Sequence, residues 1–331
     1  MGAELANYLP PRISGYAGAE VDSLREFAKS ARRSRLGKGV PAPLESRPVC
    51  MISGDLSATG DGIELQNAFN FVQDALRFVF RGDKVGLRYK TTNLNIVMGN
   101  HDIWGGQSAL RAWIASERKH ARASALLGNL RPVDRWSVQV NGRKTDYVDL
   151  EPLRIRTYLL DSTKPGLMNV LARGRVPSAS LDELQGMLEH DRAVDAAAPR
   201  ISHVLRVAML HHPVEFERHR MKMLLENRNE VRDLLNRWNF GLILAGHEHE
   251  MDLRGIKGTS GLYQCIAGTP TQTQRDRALI QNTFVVLDVY EGNLSTDTCE
   301  IAAYAFERPA FQGTHFQRRP LSVLRPRVVP A

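Results

Sequence analysis

Short, nearly continuous apolar runs alternate along this chain with stretches whose apolar positions recur every three or four residues. Pro48–Ile52, Asn95–Met98, Ile155–Leu160, Val204–Leu210 and Phe240–Ala245 each predict a buried strand. Helical spacing lies between and before them. Ser23 and Glu26 form a capping box ahead of Leu24, Phe27, Ala28 and Ala31. Leu65, Ala68, Phe69, Val72, Leu76 and Val79 share one face, as do Leu110, Trp113 and Ile114 in a helix expected over 108–127. A second capping box, Ser180 with Glu183, precedes Leu181, Leu184 and Leu188. Met223, Leu224, Val231, Leu234 and Leu235 predict the last helix. Residues 136–148 predict a hairpin turning at Asn141-Gly142. Tyr263–Ala267, Thr283–Tyr290 and Thr298–Phe306 predict three late strands with no helix between them.

Alternation of this kind predicts an α/β fold of two packed mixed β-sheets flanked by helices, the second sheet more antiparallel because its strands are consecutive. No interdomain linker interrupts the pattern. Residues 1–307 are therefore expected to form a single domain, with 105–148 as a lid or insertion; Trp104 just before it and Trp113 and Trp136 within it are candidate substrate contacts, core packing being the favoured role for Trp113. Residues 308–331, rich in Pro and Arg, are expected to be a loosely packed tail.

A hydrophobic content of 43% and a charged content of 24% belong to a globular chain with a proper core. The formal net charge of +8 favours phosphorylated or polyanionic partners. Much of the excess lies in Arg25, Arg32, Arg33 and Arg35 and in Arg318, Arg319, Arg325 and Arg327. Neither cluster alternates with aromatic residues as a single-strand-binding groove would, so both read as solvated faces. Cys50, Cys265 and Cys299 form no C-x-x-C, which argues against a zinc knuckle or disulfide framework and for a reducing, cytoplasmic setting. Met1–Pro10 lacks a basic segment followed by an apolar one, and no apolar run approaches the roughly 20 residues of a membrane span.

The candidate chemistry sits at the strand ends. Gly246-His247-Glu248-His249 follows an apolar run, and histidines at i and i+2 in a turn can point into one space as metal ligands. Three other runs end in Asp55, in Asn100-His101-Asp102 and in His211-His212. Each has a plainer alternative: Asp55 as a turn cap beside Gly54, Asn100 as a turn former after Gly99, His211 as a core histidine. In an open α/β sheet, however, sites form outside the carboxyl ends of the strands, so four polar clusters there can share one cleft. Mixed carboxylate, amide and imidazole ligands suit Zn, Fe, Mn or Ni better than Mg or Ca. A carboxylate such as Asp55 can bridge two ions, and paired ions serve in-line displacement at phosphorus. His120, His190, His203, His219 and His315 lie outside this pattern.

Gly54-Asp55, Gly99-Asn100-His101-Asp102, His211-His212-Pro213 and Gly246-His247-x-His249, in that order, resemble the calcineurin-like metallophosphoesterase superfamily over residues 48–270. Leu160-Asp161-Ser162 and Ala267-Gly268-Thr269-Pro270 match supporting context, and the nearest branch is the bacterial one similar to cyclic-nucleotide and glycerophosphodiester phosphodiesterases. The resemblance implies a four-layer sandwich and two divalent metal ions, Mn, Fe or Zn. It implies Asp55 as the bridging ligand, Asn100, His211 and His247 completing one site, and His249 serving the other. His101 would lie beside the phosphate, stabilising it or protonating the leaving oxygen, with Asp102 orienting its ring and His212 behind the ligands. The implied reaction is hydrolysis of a phosphorylated small molecule or phosphodiester by metal-bound hydroxide.

The superfamily begins with an Asp-x-His motif on a first strand, and residues 1–54 carry no such motif. Residues 1–54 contain no histidine and one aspartate, Asp22. Two explanations follow: a chain shortened at its N-terminus, whose first strand is missing, or a variant that binds one ion or none. The alternative function is accordingly a catalytically impaired relative acting as a binding or regulatory module. A nuclease is a third expectation, from the basic balance alone.

Overall fold

The computed structural model describes residues 49–55, 78–80, 83–85, 93–103, 136–138, 145–163, 173–216, 225–248, 250–268, 281–290, 294–309 and 317–331. The helices expected from Ser23 and over 108–127 lie outside these residues, as do Trp104, Trp113 and His249.

Two groups of parallel strands carry the site. β1 (Val49–Ile52) and β4 (Asn93–Ile96) pair in parallel, and β4 pairs in parallel with β5 (Trp136–Val138). A larger sheet contains β6 (Thr145–Leu150), β7 (Leu153–Leu159), β8 (His203–Met209), β9 (Leu242–Ala245), β10 (Asp252–Gly255) and β11 (Tyr263–Ile266), in the order β10-β11-β9-β8-β7-β6. Within it β7, β8, β9 and β11 run parallel, while β6 and β10 are antiparallel edges. A third sheet is an antiparallel meander of β12 (Gln281–Tyr290), β13 (Glu300–Pro309) and β14 (Gln317–Leu324). The result is the mixed α/β architecture that the alternation predicts.

The two-residue period of each central strand sends its side chains to two different cores. Tyr158, Ala208 and Ile243 face α2 (Ser178–Ala196) and α3 (Arg228–Arg237), where Leu181, Leu184, Leu188, Val231, Leu234 and Leu235 complete one cluster. Leu153, Leu205, Val207 and Leu242 face the opposite way and pack with Ile301, Leu324 and, in part, Val285 and Leu287 of the antiparallel sheet. Helices, mixed sheet and antiparallel sheet thus form three successive layers. Each fully buried leucine contributes roughly 1.5–3 kcal/mol relative to exposure.

The face towards α2 also buries charge. Arg154 and Arg156, two residues apart on β7, meet Asp195 at the end of the helix; Arg154 lies 2.7 Å from it and Arg156 closer still. Arg156 also reaches Asp191 at 3.1 Å, and Arg154 grips Asp149 of β6 through two bonds of 2.6 and 2.9 Å. Burial pushes the Asp191 carboxyl up despite the attraction of Arg156.

Four local expectations change. Residues 136–148 are not a hairpin: β5 joins β4, while β6 turns back through Glu151-Pro152 onto β7, because its apolar Val148 and Leu150 alternate with exposed Tyr147 and Asp149. Val79 belongs not to a helix but to β2 (Phe78–Phe80), paired with β3 (Asp83–Val85); its aromatic and β-branched neighbours favour the pleat. Ser180 does not cap α2. The helix starts two residues earlier, with Pro177 at its N-cap and no side-chain cap bond, and Ser180 is buried in its first turn.

The end of the chain is not loosely packed. β14 pairs with β13, and β15 (Val329–Pro330) pairs with the start of β8, along the edge that β9 leaves open. Arg327 donates to the Phe240 carbonyl at 2.8 Å and the Asn236 side-chain oxygen at 2.8 Å, tying the tail to the segment that leads from α3 into β9. Its backbone pairing was masked in the sequence by Pro and Arg. No helix among the described residues is long and apolar enough to cross a membrane.

Candidate metal centre

Parallel pairing places the carboxyl ends of β1 and β4 together, and those of β7, β8 and β9 together. Val97, Leu159 and Met209, with Met51 and Leu244 against them, form an apolar floor where the two groups meet. Above the floor the chain is stitched by backbone bonds: Val97 N–H to Ile52 O at 3.0 Å, Leu210 N–H to Leu244 O at 3.0 Å and Gly246 N–H to His211 O at 3.0 Å. Every strand therefore delivers its next residues at the same level.

Two left-handed residues make the first turn. Gly54 has φ of +99° and Asp55 of +57°. A methyl on Gly54 would overlap the Gly99 backbone and stand 2.7 Å from His211 Nδ1. A methyl on Gly99 would overlap Asp55, including its Cγ at 2.8 Å. Only glycines let the β1 and β4 turns approach this closely. Asp55 then accepts the His101 N–H through Oδ1 at 3.0 Å. Asp102, which is buried, accepts the Gly99 N–H through Oδ2 at 2.8 Å and so closes the turn from which Asn100 and His101 project within the short helix α1 (Asn100–Ile103).

Three ligand atoms converge beneath that turn. His211 Nε2 lies 2.8 Å from Asn100 Oδ1 and 3.1 Å from His247 Nδ1, and His247 Nδ1 lies 2.9 Å from Asn100 Oδ1. Asp55 Oδ2 is 3.5 Å from His211 Nε2. His211 Nδ1 sits 2.5 Å from the Ser53 carbonyl oxygen, to which it can only donate. Its Nε2 therefore offers a lone pair directly to Asn100 Oδ1, which also carries only lone pairs. Two acceptors hold such a distance when a cation or proton is shared between them. Neighbouring ligands in an octahedral shell, each about 2.1 Å from a divalent ion, stand roughly 3 Å apart. The donor set and its spacing thus fit a divalent metal. His247, at φ of +73°, is held in a backbone region that costs on the order of 1–3 kcal/mol, as functional sites often are.

His212 is packed into the same cluster, its ring centroid 4.4 Å from that of His247 and 4.9 Å from that of His211. The three imidazoles bring ligand nitrogens within 4.8 Å of one another. The Asn100, His211 and His247 atoms are closer together, and we take them as the tighter nest. His101 is half-buried beside it. His203 lies elsewhere, bonded to Ser202 at 2.8 Å and near Asp297 at 3.7 Å, and His190 is exposed. The expected ligand His249 falls outside the described residues.

Sequence reasoning overlooked several supports. Ser53 supplies its carbonyl to His211, and its hydroxyl would touch a methyl on Gly246. Gln264, fully buried on β11, accepts from the N–H groups of Val214 and Glu215 at 2.8 and 3.1 Å and donates to the Glu215 carbonyl. It clamps the segment that leaves His211 and His212. A glutamine inside the run Tyr-Gln-Cys-Ile was the signal for it.

The family described as calcineurin-like phosphoesterase matches residues 30–251, which include all four strand-end motifs. No curated protein matches the sequence. Among solved structures, a dimetal phosphatase from Danio rerio is 14% identical, with 91% of this chain and 89% of that one covered at a TM-score of 0.47. GAP50, the anchor in the inner membrane complex of Plasmodium, is 10% identical, with 93% and 84% covered at 0.46. Phosphopantetheinyl hydrolase from Mycobacterium tuberculosis is 11% identical, with 78% and 91% covered at 0.38.

Proposed function

The chain belongs to the calcineurin-like phosphoesterase family, and from that premise we propose that it hydrolyses a phosphodiester at a metal centre built on Asp55, Asn100, His211 and His247. Family membership makes it a metal-dependent phosphoester hydrolase with a phosphorylated substrate. The preference for a diester rests on the His211-His212-Pro213 and Gly246-His247-x-His249 pattern. The observation that carries the site assignment is the convergence of Asn100 Oδ1, His211 Nε2 and His247 Nδ1 at 2.8–3.1 Å.

Bound there, a divalent ion would supply Lewis acidity to a phosphoryl oxygen and a strong nucleophile near neutral pH. The protein's own groups do the rest. Ser53 holds the tautomer of His211. Asp55 spends one oxygen on the His101 N–H and turns the other towards His211. Asp102 holds the turn that carries His101, which in this proposal stabilises the phosphate or protonates the leaving oxygen. His249 belongs, in this proposal, to a second ion.

One observation favours a second reading. Residues 1–54 contain no Asp-x-His pair to join His249, so a single ion, or a binding and regulatory role, is the alternative. The nuclease reading has less support: it rests on net charge alone, and Arg327 of the tail is engaged internally with Phe240 and Asn236.

The test is Mn, Fe and Zn content of the purified protein, with hydrolysis of an aryl phosphodiester and an aryl phosphomonoester by wild type and His101→Ala. Bound metal, faster diester cleavage and a rate loss of 10²-fold or more in His101→Ala are expected. A metal-free protein whose rate is unchanged in His101→Ala overturns the enzyme reading.

A further inference from the structure

Ser162 and His212 are both fully buried, immediately behind the metal nest, and nothing in the reaction above uses them. Ser162 follows β7 and reaches across to the residues that follow β8. Its Oγ receives the N–H of His211 at 3.1 Å and the N–H of His212 at 3.1 Å. The same Oγ lies 3.0 Å from His212 Nδ1. A hydroxyl has two acceptor lone pairs and one proton. The two backbone groups fill the lone pairs, so the proton goes to His212 Nδ1. Neutral His212 therefore carries its hydrogen on Nε2, and an Nε2–H cannot bind a metal.

Gly174 and Arg175 crowd the pair. Gly174 passes so close that a methyl there would overlap both His212 Nδ1 and the Ser162 carbonyl. That carbonyl accepts the Arg175 N–H at 2.9 Å, which seals the chain over the pair.

Two ligand sets compete in this cluster. One is Asp55, Asn100, His211 and His247, half of it oxygen. The other is the all-imidazole trio His211, His212 and His247. Oxygen ligands suit Mn, whereas imidazoles suit Zn, Ni and Cu. We propose that Ser162 is a positioning residue that sets metal preference: by donating to His212 Nδ1 it withholds the third imidazole and commits the centre to the oxygen-containing set. This rests on the metal-centre reading above.

The experiment is equilibrium binding of Mn and of Zn to metal-free protein by calorimetry, for wild type, Ser162→Ala, His212→Asn and the double variant, with near-ultraviolet circular dichroism to confirm folding. Asparagine keeps an acceptor for the Ser162 hydroxyl and removes Nε2. Ser162→Ala is expected to raise the Zn-to-Mn affinity ratio by about tenfold or more, the usual scale for groups behind metal ligands. His212→Asn and the double variant are expected to keep the wild-type ratio. An unchanged ratio in folded Ser162→Ala overturns the proposal while leaving the metal centre standing. Loss of Zn affinity in His212→Asn also overturns it, by making His212 a ligand, and decides the matter even where Ser162→Ala does not fold. Wild-type protein that binds neither ion overturns the metal-centre reading and this inference together.

Discussion

His211, at the end of β8, donates its Nδ1–H to the carbonyl of Ser53, at the end of β1, over 2.5 Å. The bond spans 158 positions of sequence and joins the two groups of strands at the level of the site. It also decides which nitrogen of His211 faces Asn100. Replacing the ring with His211→Ala is expected to lower metal affinity by more than the 10–100-fold typical of supporting residues. Calorimetric titration with Mn or Zn measures this, and affinity within threefold of wild type would remove His211 from the site.

Gly99→Ala tests the close approach of the two turns. The added methyl would overlap Asp55, whose backbone cannot retreat without moving Gly54. Overpacking of this kind destabilises by about 1–3 kcal/mol. Urea denaturation is expected to show that loss, with hydrolysis falling further than stability because Asp55 and Asn100 both shift. A variant with wild-type rate and midpoint would show that the turns are not in contact.

Asp195→Ala tests the buried charge cluster. Arg154 and Arg156 each lose a buried carboxylate and keep Asp149 and Asp191, respectively. Breaking a buried pair from one side costs about 3–5 kcal/mol. The expected result is a midpoint drop on that scale with metal binding retained. Asp191→Asn should lose less, since burial already disfavours its charged form.

Burial pushes the thiols of Cys265 and Cys299 up from 9.0 to about 12. At pH 8 the thiolate fraction is on the order of one in ten thousand, and the thiolate is the reactive form. Both residues are expected to resist iodoacetamide in the folded protein and to react in urea, as peptide mapping would show. The unfolded chain releases these protons at lower pH than the folded one, so the folded state binds more protons between pH 9 and about 12. Stability is therefore full below that interval and falls as pH rises through it. A flat denaturation midpoint from pH 8 to 11 would contradict the burial.

Local pattern by itself determined most of the strand ends and what they carry. Val49–Ile52, His203–Met209 and Leu242–Ala245 are short apolar runs whose type follows from period and length, and each is followed at once by its polar cargo. Asp55, Asn100, His211 and His247 were legible for that reason: parallel strands present their carboxyl ends on one edge, wherever the strands sit. What the chain order could not determine was partnership. Whether 145–150 pairs with 136–138 or with 153–159 depends on which edge is free, and the same holds for Gln317–Leu324 beneath its Arg and Pro residues. Ser53, Ser162 and Gln264 act through hydrogen bonds to residues 49–158 positions away. Such bonds leave no period in the sequence, because one buried donor needs only one acceptor brought to it by packing. Tertiary structure alone decided which nitrogen of His211 faces Asn100.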